Sequence, residues 1–116
     1  MLFQVSRTSA SGVPTLQVHG ELDLATAPVL AEAVEQLLAP GPPHALGDLT
    51  WTSFLDSTGA RELALAARAA RSAGTRLQVV CPPDNAVLQR VIGLLDLGSL
   101  VDIVAAPPSA EEQNRR

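Results

Sequence analysis

Apolar and polar residues alternate over Phe3–Arg7 and again over Thr15–His19, with the turn-forming run Ser9-Ala10-Ser11-Gly12 between them. A period of two is that of a half-buried strand, so the chain is predicted to open with a hairpin. The period then lengthens: Ala27, Leu30, Ala31, Val34 and Leu38 fall at helical spacing, with Glu32, Glu35 and Gln36 on the opposite face. Thr26 stands where an N-cap would, and Pro28 suits a first turn, where its missing N–H breaks no internal bond. Pro40-Gly41-Pro42-Pro43 cannot continue a helix and marks a loop. Ala45–Thr50 reads as a short strand weakened by Gly47. From Ser57 to Ala73 a second helical pattern gathers Leu63, Ala66, Ala67 and Ala70 on one face and sets Arg61, Arg68 and Ser72 opposite.

Gly74 is a natural stop, after which Arg76–Cys81 is an apolar run of strand length closed by Pro82-Pro83. Asp84 is the expected cap of a third helix with Val87, Leu88, Val91 and Ile92 as its buried stripe, and Leu100–Val104 reads as a last strand. Strands alternating with helices predict an α/β domain over residues 1–106, with 107–116, ending EEQNRR, as a flexible tail.

Composition narrows the function. One hundred and sixteen residues make one domain, able to bury a core without a metal or disulfide staple. Cys81 is the only cysteine, which rules out an intrachain disulfide and any Cys/His cluster of structural zinc spacing. A net charge of −4, Arg as the only cation besides His, and three aromatics disfavour phosphate-backbone binding and base stacking. No stretch approaches a membrane span and no signal core follows the N-terminus, so a cytoplasmic protein with no membrane and no direct nucleic-acid partner is expected.

The most informative segment is Asp48–Gly59, DLTWTSFLDSTG. It carries a strand into a small polar turn and then into the second helix. Ser57 and Thr58 therefore lie at a helix N-terminus, where unpaired N–H groups and the positive dipole end favour an anion. Asp56 can cap the helix, and Gly59 leaves the backbone unobstructed. Read from these residues alone, the segment is a well-capped helix start.

FLDSTG, at Phe54–Gly59, resembles the motif of STAS domains, particularly the bacterial anti-sigma factor antagonists. GELDLATAP (Gly20–Pro28) and GTRLQVV (Gly74–Val80) are similar to the family's strand-to-helix connection and following strand, in the family's order. The resemblance runs over Val13–Val104. It implies a mixed sheet of four to five strands with helices mainly on one face, and a protein without cofactor that works by partner switching. Unphosphorylated, such a protein binds an anti-sigma factor with kinase activity; phosphorylation of the serine after the Asp, here Ser57, releases it, and a serine phosphatase resets it. Asp56 would orient the turn and contact the partner, Thr58 would assist capping, and Gly59 belongs to the same turn. Asp23 matches a polar family position near the same sheet end, but reads equally well as the loop residue ahead of the Thr26 cap. Arg61 and Leu65, outward on the same helix, would belong to the partner surface. Gly47 stands where the family has a buried aliphatic, and Asp96 where it has a glycine.

Two further readings compete. An accessory subunit of an ABC-type lipid transport complex, or a non-phosphorylated scaffold STAS protein, would use similar helix surfaces without phosphorylation. An enzyme would use Ser57 as nucleophile and His19 or His44 as base, but no G-x-S-x-G elbow is present, and a chain without lysine has no phosphate-cradling P-loop. A binding protein with no catalytic residue, metal or cofactor is the expectation. The N-terminal strand, as a sheet edge able to pair with another chain, leaves monomer or weak homodimer open.

Overall fold

The computed structural model describes residues 3–108. Its elements run β1 (Gln4–Ala10), β2 (Val13–Leu22), α1 (Ala27–Leu38), β3 (His44–Asp48), β4 (Thr52–Leu55), α2 (Ser57–Ser72), β5 (Arg76–Val80), α3 (Ala86–Leu94), a one-turn 3-10 helix (Leu97–Ser99) and β6 (Asp102–Val104). The sheet is mixed. Its order is β1-β2-β3-β5-β6, with β1 antiparallel to β2, the other pairs parallel, and β4 joined to β2.

The hairpin is longer and tighter than its alternation predicts. Ala10 pairs with Val13, leaving Ser11 and Gly12 as a two-residue turn with φ of 51° and 82°. Positive φ at both central residues is the type I′ turn, whose twist matches that of the flanking strands. β1 is an edge strand, as its polar composition allows.

Six strands form where four to five were expected, and the extra one is β4. β2 pairs with β3 through Thr15–Gln17; past an irregularity at Gly20/Glu21, its end pairs with Thr52–Leu55. The segment expected as a turn before α2 is therefore partly strand. It is held by the Thr52 hydroxyl, which donates to the Val18 carbonyl at 2.8 Å.

α1 and α2 pack on one another and on the sheet, and α3 packs against β4. Leu63, Ala66, Ala67 and Ala70 of α2 are buried as its periodicity predicts, and in α1 Leu37 joins the buried face while Ala31 is only half-buried. Alternation along β3 and β5 sends Leu46 and Val80 to the other face, where they meet Val13, Ala10 and Val104. Of the expected tail, residues 109–116 lie outside the described residues. Pro107 and Pro108 are described: Pro108 is buried, and its carbonyl accepts from the Ser11 hydroxyl at 3.2 Å.

Three local expectations need correction. Asn85, not Asp84, caps α3: its side chain accepts from the Leu88 N–H at 3.4 Å and donates to the Thr52 carbonyl at 2.9 Å. Within α3 only Leu88 is fully buried, Val91 and Ile92 are half-buried, and Val87 is exposed. The last strand starts at Asp102, because Leu97–Leu100 form and close the 3-10 turn. Asp96 takes the left-handed conformation, φ 50° and ψ 40°, that a glycine would hold more easily.

Gly47 borders a small apolar cavity of about 20 Å³ among Leu16, Val18, Leu63 and Val79. A Cβ there would meet only Val79 Cγ2, at 3.8 Å, an ordinary contact. Gly47→Ala is therefore expected to raise stability by about 0.5–1 kcal/mol, through lower unfolded-state entropy and a better-filled core. A rise in the urea midpoint at unchanged slope checks it; a fall would mean that β3 needs the freedom of glycine.

Candidate functional site

The parallel strands deliver their C-terminal ends to one edge of the sheet, and the DSTG turn sits there. Leu55 pairs with Leu22, and the Asp56 N–H donates to the Leu22 carbonyl at 3.4 Å. Asp56 then turns the chain into α2 with extended φ and ψ of −103° and −175°. Its carboxylate accepts from the Gly59 N–H at 2.8 Å and its carbonyl from the Ala60 N–H at 2.9 Å, the geometry of an N-cap. Ser57 is the first helical residue and is exposed; Thr58 is half-buried behind it. Their N–H groups belong to the first turn, which has no intrahelical acceptor for them.

Gly59 fixes how closely α2 approaches β2. A Cβ at this position would collide with the Leu22 carbonyl oxygen and lie 2.8 Å from Leu55 Cδ1. Gly59 is thus required by a backbone contact, and the contact places Ser57 at the sheet edge.

Asp23 lies one residue past Leu22, so it shares this edge. Its carboxylate is engaged just ahead of α1: it accepts from the Ala25 N–H at 3.0 Å and the Thr26 N–H at 3.1 Å. The Asp23 carbonyl accepts from the Ala27 N–H at 2.8 Å. Thr26 occupies the N-cap position but makes no side-chain cap bond; its hydroxyl donates to the Glu21 carbonyl at 2.8 Å and accepts from the Asp23 N–H at 2.9 Å. The capping oxygen expected from Thr26 is supplied by Asp23.

Ser57, Arg61 and Leu65 fall at i, i+4 and i+8 and so share one stripe of α2, with Leu65 about 12 Å along the axis from Ser57. Arg61 is exposed and Leu65 is 40% exposed. The turn residues and Asp23 are brought together; Arg61 and Leu65 extend from them along the helix.

Two apolar residues at this edge escaped the sequence reading. Leu24, next to Asp23, is 73% exposed, and Phe54, paired with Glu21, is 40% exposed. The signal for both is an apolar residue without a place in any buried stripe, beside a motif of small polar ones. The histidines stand apart from Ser57. His19 stacks on Trp51 at 5.2 Å between ring centroids, and His44 opens β3 at the far end of the parallel strands. Cys81 is buried, which pushes its thiol up from its ordinary value and keeps it inert. No helix among the described residues is long and apolar enough to cross a membrane.

The arrangement is a strand-end turn with an exposed serine at the first position of an Asp56-capped helix, and with exposed Leu24 and Phe54 at the same end of the sheet. The family model described as Mlab, STAS domain, matches residues 5–102. The chain belongs to the STAS domain family. Over 54 residues it is 41% identical to the anti-sigma-F factor antagonist RsfB of Mycobacterium tuberculosis, an alignment spanning 47% of this chain and 44% of the relative. The chain thus matches less than half the length of that curated relative. An anti-sigma factor antagonist from Mycobacterium paratuberculosis, solved by crystallography, superposes with a TM-score of 0.83 at 26% identity, over 99% of this chain and 96% of that one. The Bacillus cell fate determinant SpoIIAA in its phosphorylated form shares the fold, with a TM-score of 0.61 at 18% identity over 98% of each chain.

Proposed function

We propose that this chain is an anti-sigma factor antagonist that switches partners through Ser57. Unphosphorylated, it binds an anti-sigma factor with serine kinase activity and so frees a sigma factor; phosphorylation of Ser57 releases it, and a serine phosphatase restores it. The observation that carries this reading is the exposed Ser57 hydroxyl at the first position of an Asp56-capped helix, beside exposed Leu24 and Phe54. The relatives described as anti-sigma factor antagonists support the same reading.

The physics is local. A phosphate adds about −1.5 to −2 charges and three acceptor oxygens at a helix start whose dipole and free N–H groups tolerate an anion. The domain need not rearrange. A partner packed on Leu24 and Phe54 must instead desolvate a dianion at the centre of its contact, which is costly without a cation to meet it. In a chain of net charge −4, that one group is also a large fractional change in the field. The work is binding and release, with no chemistry performed by this chain.

Incubation with ATP and a candidate anti-sigma kinase, followed by mapping of the modified residue, tests the reading. Phosphate is expected on Ser57. Ser57→Asp should bind the anti-sigma factor about tenfold or more weakly, the scale of one unpaired charge at an interface, while Ser57→Ala binds normally and resists release. An unmodified Ser57, or equal affinities for the two variants, would sink the switch and favour a STAS scaffold or transport accessory role.

A further inference from the structure

The outward side of α2 carries charge that the fold does not use. Arg61, Arg68 and Arg71 border a groove of about 350 Å³ whose apolar wall is Ala64, Leu65 and Leu100. All three arginines are exposed, and Leu100, from the turn before β6, is 55% exposed. Among the described residues the ion pair is Arg76–Asp102, at 3.6 Å, and these three arginines have no carboxylate partner. Helical neighbours offer none either: three and four residues from Arg61 and from Arg68 lie Ser57, Thr58, Ala64, Leu65, Arg71 and Ser72. Arg68 and Arg71 are a like-charge pair at i, i+3, which weakens a helix. Arg71 is favoured by the helix C-terminus, but Arg61, in the second turn, faces the positive end of the dipole. Three cations thus cluster around exposed leucines on a chain of net charge −4, at some expense to the helix that bears them.

We infer that the strip from Arg61 to Arg71, with Leu100, is a docking surface for an acidic segment of a partner protein, one that seats an apolar side chain between Leu65 and Leu100 and sets carboxylates against the three arginines. Charge complementarity selects the occupant. A nucleic acid would find leucines and no aromatic side chain in this groove for its bases, on a protein that repels it overall. An acidic amphipathic segment meets both the apolar floor and the cationic rim, with the rim steering encounter and fixing register. The strip rests on the partner-binding reading of α2 but extends it from Arg61 and Leu65 to Arg68 and Arg71, about four helical turns beyond Ser57, and to Leu100.

The test uses the full chain and a labelled amphipathic peptide of Leu, Ala and Glu, beside the same peptide with every Glu replaced by Gln. The Glu peptide is expected to bind roughly tenfold more tightly than the Gln peptide, as three exposed ion pairs allow, and less tightly as salt rises. R61E/R68E/R71E should lose about that tenfold, the milder R61Q/R68Q/R71Q most of it, and L65S/L100S should weaken both peptides. Amide shifts should map to α2 and Leu100. No binding of the Glu peptide, equal binding of the Gln peptide, or arginine variants that bind like the parent overturns the proposal. So does equally tight, arginine-dependent binding of single-stranded DNA or phosphatidylserine vesicles, which would make the strip a general polyanion site. Tighter peptide binding by E111Q/E112Q would assign the groove to the chain's own tail and overturn it as well. The assay contains no ATP and no kinase, so its failure leaves the Ser57 switch standing, and an unmodified Ser57 leaves the strip standing.

Discussion

Gly59→Ala is expected to destabilise the domain by about 2–3 kcal/mol, although helix propensity alone sets the opposite sign. Alanine is favoured over glycine by about 1 kcal/mol in a helix interior, and Gly59 is the third residue of α2. The added methyl, however, would occupy the space of the Leu22 carbonyl oxygen and press on Leu55 Cδ1. The first of these is backbone at the paired end of β2, where it accepts from the Asp56 N–H, and it cannot rotate away. α2 must therefore retreat from β2, which weakens the Asp56 N–H bond to Leu22 and moves Ser57 from the sheet edge. Thermal unfolding should show a midpoint lower by roughly 10 °C, given about 4 °C or more per kcal/mol for a domain of this size. A variant as stable as the parent would show that α2 does not approach β2 as closely as its glycine permits.

The features legible in the sequence were those that repeat locally. The alternation of β1 and β2 and the alanine-leucine stripe of α2 each recur within one element, so pattern alone located them. The Asp56 cap was legible as well, because a cap is chosen by side-chain chemistry; an unobstructed backbone at Gly59 was legible, but the Leu22 carbonyl that needs the room was not. β4 was not legible. Four residues are too few to show a period, and their partner is the end of β2, some thirty residues earlier and reached past an irregularity at Gly20. The choice between Asp84 and Asn85 as cap also depended on a distant group: only the amide has a donor for the Thr52 carbonyl, which a carboxylate lacks. Asp23 was ambiguous for the same reason in reverse. Its capping of α1 is local, but whether Thr26 or Asp23 supplies the oxygen depends on the Glu21 carbonyl drawing off the Thr26 hydroxyl. Leu24 and Phe54 went unread because exposure is set by the whole fold.

Leu55→Ala should be the other large loss, about 3 kcal/mol, and it separates support of the DSTG turn from the turn itself. Leu55 is 1% exposed, ends β4 opposite Leu22 and immediately precedes Asp56. Removing its isobutyl group leaves a cavity beneath the first turn of α2, which the Leu22–Leu55 strand pairing cannot close without shifting Asp56. Leu55 and Gly59 also share space, since the methyl of Gly59→Ala would lie 2.8 Å from Leu55 Cδ1. In the double variant that methyl fills part of the vacancy, so the two losses should sum to less than their total by roughly 0.5–1 kcal/mol. The collision with the Leu22 carbonyl persists, which keeps the double variant less stable than Leu55→Ala alone. Strict additivity in urea titrations would place the two groups apart. Ser57→Ala, by contrast, should change stability by less than about 0.5 kcal/mol, because an exposed hydroxyl at the first helical position holds nothing in place. A serine that is dispensable to the fold, on a turn the fold holds through Leu55 and Gly59, has the separation of roles a modifiable switch needs: its charge can change while its position does not.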